Sequence, residues 1–388
     1  MSCPHCGATV VAGDAFCEAC GGDLAAGTSG VPGTPGTPGA SDASGAPDAS
    51  GTPTGSAAAD PTADLPRTHL LVPNGDGLAA GWGVDTSVPC VVCGASVADD
   101  GFCTVCGHKA RTRREHWTET LGPHVGAVCD KGIAHARNED GMAIGRATGA
   151  GDARGGIVAL VVCDGVTTAP DSDRASLIAS EVARDVLIAA PAASGSTAAR
   201  VSHWEPVLAT ACRAANAEAV GVARALGDPD EPPSCTFVAA VVDGDLIATA
   251  WCGDSRSYWL PDAGPGEQLT TDHSLGTEMI RDGMTREQAE ASPDCHTITR
   301  WLGADSVDPT PDYRTRLVDG PGWLLVCSDG MWNYASDPVR LVELIREAEA
   351  AGAVDATAIA ESLAAYANAC GGHDNVTVAL ARCGVPLP

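Results

Sequence analysis

The sequence predicts an α+β protein in which one large mixed domain follows two small cysteine-stapled modules. Three observations carry this. From about Glu115 onward, short β-branched runs alternate with helical patterns, and no low-complexity gap intervenes. Several of those runs are joined by tight turns such as Asp243–Gly244, which makes much of the sheet antiparallel. Ahead of them, eight of the 17 cysteines fall in C-x2-C pairs that repeat one pattern.

Within the large domain, residues 115–388, strands are expected at His124–Cys129, Gly141–Ala147, Ile157–Cys163, Cys235–Val242, Leu246–Trp251, Ser257–Leu260, Trp323–Cys327 and Val376–Cys383. Their β-branched residues suit a pleated, buried surface. Helices are expected at Asp173–Ala190, Trp204–Leu226, Ser274–Arg281, Pro338–Ala350 and Ala356–Ala369, the last with apolar residues at helical intervals.

The first module, residues 1–24, places Cys3, Cys6, Cys17 and Cys20 in a C-x2-C-x10-C-x2-C pattern. The second, residues 90–110, places Cys90, Cys93, Cys103 and Cys106 in a nearly identical C-x2-C-x9-C-x2-C pattern. Each module is too small to fold on burial alone, and a tetrahedral Zn-S4 site supplies the missing stability. Both modules resemble zinc ribbons, so about two structural zinc ions are expected, with redox switching as the alternative role. Whether each module closes its own site or the two exchange knuckles stays open at this point. Between them, residues 25–66 form a Gly/Pro/Thr-rich tract that can build no core and reads as a disordered linker. Residues 67–89 are a connecting segment.

The 388 residues carry 23 Lys and Arg against 50 Asp and Glu, a formal charge of -27. Such acidity opposes phosphate backbones and anionic membranes, so neither nucleic acid nor membrane is an expected partner. The one basic stretch, His108–Arg114, reads as a solvated interdomain face. No apolar run reaches the roughly 20 residues that span a bilayer, and no charged-then-apolar segment opens the chain. Paired cysteines then fit metal sites in a reducing setting, and a soluble, cytoplasmic protein is expected.

Chemistry is expected where acidic residues sit at the ends of apolar strands. Asp164 follows IVALVVC, Asp329 follows WLLVCS, Asp140 closes RNED, and Asp374 precedes VTVALARC. One such Asp is usually a turn or cap residue. Four on a single pattern suit hard divalent ions, which need several oxygen ligands on rigid elements.

These residues lie in strings whose order resembles that of the PPM, or type 2C, metal-dependent protein phosphatases: RNED (Arg137–Asp140), VVCDG (Val161–Gly165), CGDSR (Cys252–Arg256), LTTDHS (Leu269–Ser274), LLVCSDG (Leu324–Gly330) and GGHDNVTV (Gly371–Val378). The resemblance spans Val125 to Arg382. It implies an α-β-β-α sandwich of two antiparallel sheets flanked by helices, with a metal-lined cleft at one edge. It also implies hydrolysis of phosphoserine and phosphothreonine in proteins, opposing serine/threonine kinases, by water activated between two Mn2+ or Mg2+ ions. On that resemblance Asp164 bridges both ions, with the Gly165 carbonyl on one, and Asp329 and Asp374 complete the other. Glu139 and Asp140 orient waters, Asp254 matches the holder of a weaker third ion, and Asn375 shapes the turn at Asp374. Leu275–Cys295 resembles the flap beside the cleft.

The chain departs from the family pattern in three places. His135 stands where a phosphate-gripping Arg is usual, which leaves His135 and Arg137 as the phosphate-binding candidates; a His is charged only conditionally near neutral pH. Val166-Thr167-Thr168 replaces a stretch that often carries His, so no proton donor to the leaving group is assigned. His296 falls in the flap region from which a third-metal ligand can come, although a lone His is more often a packing residue. The alternative function is a catalytically weakened phosphoprotein-binding scaffold. Phosphoprotein substrates, and a protein partner for the ribbons, are the expected partners.

Overall fold

The computed structural model describes residues 86, 88–147, 156–191, 193 and 195–385, all within the unit Val72–Pro388. The expected first ribbon with Cys3, Cys6, Cys17 and Cys20, the linker 25–66 and most of the connecting segment lie outside the described residues.

Two antiparallel sheets dominate, their strands numbered in chain order. The first runs His116–Thr120 (β1), Val125–Asp130 (β2), Val376–Cys383 (β13), Gly322–Cys327 (β12), Arg256–Pro261 (β8) and Glu267–Gln268 (β9) from edge to edge. The second runs Asp312–Leu317 (β11), Leu246–Cys252 (β7), Phe237–Asp243 (β6), Ile157–Cys163 (β4) and Gly141–Ala147 (β3). A short pair joins Ser234–Cys235 (β5) to Leu302–Gly303 (β10). Helices Ser172–Ala189 (α1) and Thr197–Ala225 (α2) cover the five-stranded sheet. Pro338–Ala350 (α6) and Ala356–Ala369 (α7), with the short Asp329–Trp332 (α5), cover the other. Leu275–Arg281 (α3) and Arg286–Glu290 (α4) lie in the segment expected to form the flap.

The layering follows from strands buried on both faces. Along β4, Ile157, Ala159, Val161 and Cys163 pack toward α1 and α2, while Val158, Leu160 and Val162 pack toward the other sheet. In β12, Leu325 and Cys327 meet the helices, and Leu324 and Val326 meet the facing sheet. A strand sandwiched this way has no polar face, which is why these segments read as unbroken apolar runs. The architecture is the α-β-β-α sandwich.

Several expected boundaries shift for identifiable reasons. The strand expected at Cys235–Val242 is split at Thr236, whose hydroxyl is drawn out of the ladder to the Asp164 N–H at 3.0 Å. The helix expected from Trp204 starts at Thr197, capped by Ser196, and runs through Pro206. Pro206 can donate no hydrogen bond to Ser202, but Ser202 is exposed and water can take its carbonyl. The extra turns are anchored by Arg200, whose guanidinium bonds Asp243 at 3.2 Å and Asp245 at 2.6 Å across the β6–β7 turn.

Candidate active site

Register brings the acidic strand ends to one edge of the sandwich. Gly141 pairs with Cys163, which sets Asp140 beside Asp164. Cys327 pairs with Val378, and Ser328 N–H donates to Thr377 O at 3.1 Å, which sets Asp329 beside the Asp374–Asn375 turn. Phe237 pairs with Cys252, which carries Gly253 and Asp254 up to Thr236. A Cβ at Gly165 would lie 2.5 Å from Glu139 O, so the loop after β4 rests directly on the RNED segment. The structure therefore brings together Glu139, Asp140, Asp164, Gly165, Asp254, Asp329 and Asp374.

The carboxylates differ in access. Asp140 and Glu139 are buried and Asp254 is 6% exposed, whereas Asp164, Asp329 and Asp374 are half-buried and line the cleft. Burial raises the Asp164 carboxyl well above the usual range, and the charges of Asp140, Asp329, Asp374 and Asp254 push it the same way. Burial and Asp329 do the same to Asp254 and Asp374. Asp329 is raised chiefly by burial. Asp140 is pushed up to about 6, burial outweighing the hydroxyl hydrogen bonds from Thr377 at 2.6 Å and Ser328 at 2.8 Å. One oxygen of Asp140 and one of Asp329 are buried without a hydrogen-bond partner. Crowded carboxylates with orphaned oxygens and a donor set made wholly of oxygen fit hard divalent cations.

The phosphate-binding candidates stand at the same edge, each already on a carboxylate. His135 Nε2 lies 3.3 Å from Asp374 Oδ1 and its Nδ1 3.9 Å from Glu139 Oε2. Arg137, half exposed, reaches Glu139 Oε1 at 2.5 Å. Asn375 ties the turn at Asp374 to the RNED loop: its amide donates to Lys131 O and Arg137 O at 2.8 and 3.0 Å, and its carbonyl accepts Glu139 N–H at 2.7 Å. His296 is exposed and packs on Trp332, ring centroids 6.0 Å apart. Beside Asp254 opens a cavity of about 660 Å³ between Thr277 and His296 on one side and Trp332, Asn333 and Asp337 on the other.

Supporting residues were missed in the sequence. Thr236, Ser328 and Thr377 hold the backbone and carboxylates from behind, Trp332 Nε1 donates to Asp254 O at 3.0 Å, and His273 Nδ1 accepts Gly253 N–H at 3.1 Å. Sequence offered little signal for them: a hydroxyl residue adjoins Asp329 in CSDG and Asp254 in GDSR, whereas Thr236 and Thr377 lie apart in sequence from the Asp164 N–H and Asp140 carboxylate they support.

In the second ribbon the sulfurs of Cys90, Cys93, Cys103 and Cys106 lie within 4.8 Å of one another, so this module closes its own site. Separations of 3.4, 3.5 and 3.6 Å approach the edge, about 3.8 Å, of a tetrahedron with zinc–sulfur bonds of about 2.3 Å. The N–H groups of Cys106 and Val105 both donate to Cys103 Sγ, holding it toward thiolate. Gly94 and Gly107 close the two knuckles at φ 73° and 69°.

Comparison with known proteins agrees with this geometry. The double zinc ribbon family profile matches residues 3–107, and the protein phosphatase 2C profile matches residues 135–366. Protein phosphatase PhpP of Streptococcus pneumoniae is 36% identical over 144 residues, covering 37% of this chain and 55% of PhpP. Serine/threonine protein phosphatase PstP of Mycobacterium tuberculosis is 31% identical over 270 residues, 68% of this chain and 45% of PstP. The chain spans about half the length of the curated relatives it matches. Among solved structures, a bacterial serine phosphatase shares the fold with a TM-score of 0.55 at 23% identity, over 67% of this chain and 97% of that one. The catalytic domain of PstP in complex with two manganese ions gives 0.50 at 25% identity, over 67% and 97%. The chain belongs to the protein phosphatase 2C family. Among the described residues, no helix is long and apolar enough to cross a membrane.

The raised Asp140 makes a signed prediction. With its folded pKa near 6 against 3.8 unfolded, the metal-free folded state binds more protons than the unfolded chain between those values. Its stability therefore falls as pH rises through that window. Asp140→Asn removes the titration and keeps an acceptor for Ser328 and Thr377. Metal-free Asp140→Asn should match the parent near pH 4 and exceed it at pH 7 by about 2 kcal/mol, read as urea midpoints. Equal midpoints at both pH values would contradict this.

Proposed function

We propose that the chain hydrolyses phosphoserine and phosphothreonine in proteins, using divalent ions held at the acidic edge. The observation that carries this is the convergence of Asp140, Asp164, Asp254, Asp329 and Asp374 with two orphaned carboxylate oxygens. Bound there, two ions of the Mn2+ or Mg2+ type supply a nucleophile from water at neutral pH and neutralise the phosphoryl oxygens. Asp164, at the centre of the set and raised by the charges of the other four aspartates, would hold both ions as the family resemblance implies, with the Gly165 carbonyl beside it. Asp329 and Asp374 would hold the second ion, Glu139 and Asp140 would orient water, and Asp254 would serve a weaker third ion. His135 and Arg137 receive the substrate phosphate. The cavity beside Asp254 gives room for the peptide flanking the phosphorylated residue. The full set of acidic positions favours catalysis over a phosphoprotein-binding scaffold.

Zinc in the ribbons is structural in this reading, about two ions per chain. Val91, Val92, Phe102 and Val105 are exposed on the second ribbon and offer an apolar surface for a protein partner. The basic stretch contributes Arg111 to an ion pair with Asp130 at 2.8 Å, in keeping with an interdomain face. A reducing, cytoplasmic setting suits the free thiols of all described cysteines.

Three outcomes test this. Asp164→Ala should lower manganese-dependent hydrolysis of p-nitrophenyl phosphate and phosphopeptide at least about 100-fold, with circular dichroism unchanged; near-parent turnover would sink the two-ion assignment. Elemental analysis should find about two zinc ions per chain, with Cys90→Ser losing about one, and zinc-free protein with intact thiols would refute the ribbon sites. His135→Arg supplies a permanent, bidentate phosphate ligand and should lower the phosphopeptide KM about fivefold. If His135→Ala and His135→Arg both keep the parent KM, His135 is outside the phosphate site and Arg137→Ala should show the defect.

A further inference from the structure

The second ribbon enters the catalytic domain without slack. Phe102 still pairs with Lys109, and Ala110 N–H still donates to Gly101 O at 2.8 Å, both inside the ribbon. The next residue, Arg111, already donates Nη1 to Asp130 Oδ2 at 2.8 Å. Lys131 N–H then donates to Glu115 O at 2.8 Å, and Asn138 Nδ2 donates to Arg114 O at 3.1 Å. Residues 111–115 thus form a strap along the loop 131–140 that carries His135, Glu139 and Asp140.

Asp130 is the node of this strap. It ends β2, is 3% exposed, and takes four donors: Arg111 and His116 on Oδ2 at 2.8 and 2.7 Å, Gly132 N–H and Asn368 Nδ2 on Oδ1 at 2.8 and 3.0 Å. Gly132, at φ 76°, lies so close to Asp374 that a Cβ would sit 2.1 Å from its carbonyl oxygen. Beyond it, Ile133 and Ala134 N–H donate to Gly372 O at 2.8 and 3.0 Å. The turn fixed by Asp130 therefore abuts the backbone of Asp374 and, through Asn375, the Glu139 N–H. Without Arg111, a buried carboxylate loses its guanidinium partner, a costly state relieved by moving the carboxylate and loosening its bonds to Gly132 and Asn368.

We infer that Arg111 is a positioning residue of the phosphatase site: through Asp130 it holds the 131–140 loop against Asp374, so that an intact ribbon is required for tight divalent-ion binding. This rests on the ion site proposed above. Because the ribbon's fold depends on its zinc, and Arg111 is one residue from the ribbon's last internal hydrogen bond, loss of that zinc should act in the same direction.

The test uses the full chain with Arg111→Ala, Arg111→Lys and Cys90→Ser. Manganese binding is read by isothermal titration, and amide exchange at Gly132 and Glu139 is read in metal-free protein. Arg111→Ala should weaken manganese binding about tenfold, the low end for a residue supporting metal ligands, and should speed exchange at both amides. Arg111→Lys should restore most of both, and Cys90→Ser should follow Arg111→Ala. Parent-like affinity and exchange in Arg111→Ala, even with a lowered melting temperature, would overturn the inference. If the parent binds no manganese, the ion site itself fails, and unchanged amide exchange in Arg111→Ala would separately dispose of the strap.

Discussion

Confinement of like charges is the constraint on which the rest of this structure turns. Asp140, Asp254, Asp329 and Asp374 all act on Asp164 in the unfavourable direction, yet they come from strand ends spread over both sheets and from turns far apart in sequence. The basic side chains His135 and Arg137 pair with Asp374 and Glu139, and Arg256 and Arg114 ease the charge on Asp254 and Asp140, but burial outweighs them. What opposes the repulsion is burial elsewhere. Val158, Leu160, Val162, Leu324 and Val326 fill the space between the sheets, and each side chain of this size contributes roughly 1.5–3 kcal/mol when fully buried. The sandwich core is thus the source of the free energy that holds an acidic cluster ready for cations.

Orientation is supplied by a second set of groups that carry no charge. Thr236 receives the Asp164 N–H and shares a hydrogen bond with Ser255 at 2.7 Å. Ser328 and Thr377 fix one oxygen of Asp140 and leave the other unpartnered. Neutral donors of this kind hold a carboxylate in place without neutralising it, as a cation-binding edge requires. Asn375 connects the two loops most distant in sequence, because its one side chain bonds both Glu139 N–H and the Lys131 and Arg137 carbonyls.

How much of this was legible in the sequence depended on burial pattern. Val376–Cys383, Ile157–Cys163 and Gly141–Ala147 match their expected bounds, since strands covered on both faces write long apolar runs. The strands His116–Thr120 and Asp312–Leu317 escaped. Each is one edge of its sheet, and unlike the edge strand Gly141–Ala147 each is only partly buried and rich in Thr, Arg or Asp, so it carries neither an apolar run nor a clean alternation. The N-terminal turns of α2 escaped because their anchor is polar: Arg200 and Trp204 are held by Asp243, a contact across the chain that periodicity cannot reveal. At the site the acidic positions were visible as strand-end strings. Asp130 was not, because its importance lies in four donors that converge only after folding.

The same geometry gives a reason why a histidine is workable where the family usually has arginine. Asp374 Oδ1 accepts the Asn375 N–H at 2.7 Å and faces His135 Nε2 at 3.3 Å. A divalent ion held by Asp374 would compete with His135 for that oxygen, and one beside Glu139 would compete likewise with Arg137. On the function proposed above, each of these side chains would have two states, one on a carboxylate before metal is bound and one turned toward an incoming phosphate afterward. A permanently charged, planar arginine at 135 would pair more strongly with Asp374 and Glu139 in the first state. The imidazole, which has no planar fork to grip two carboxylate oxygens at once, would make that competition weaker. Metal loading and phosphate binding would thereby be linked through two carboxylates, and the smaller side chain at 135 would favour the metal's side of that balance.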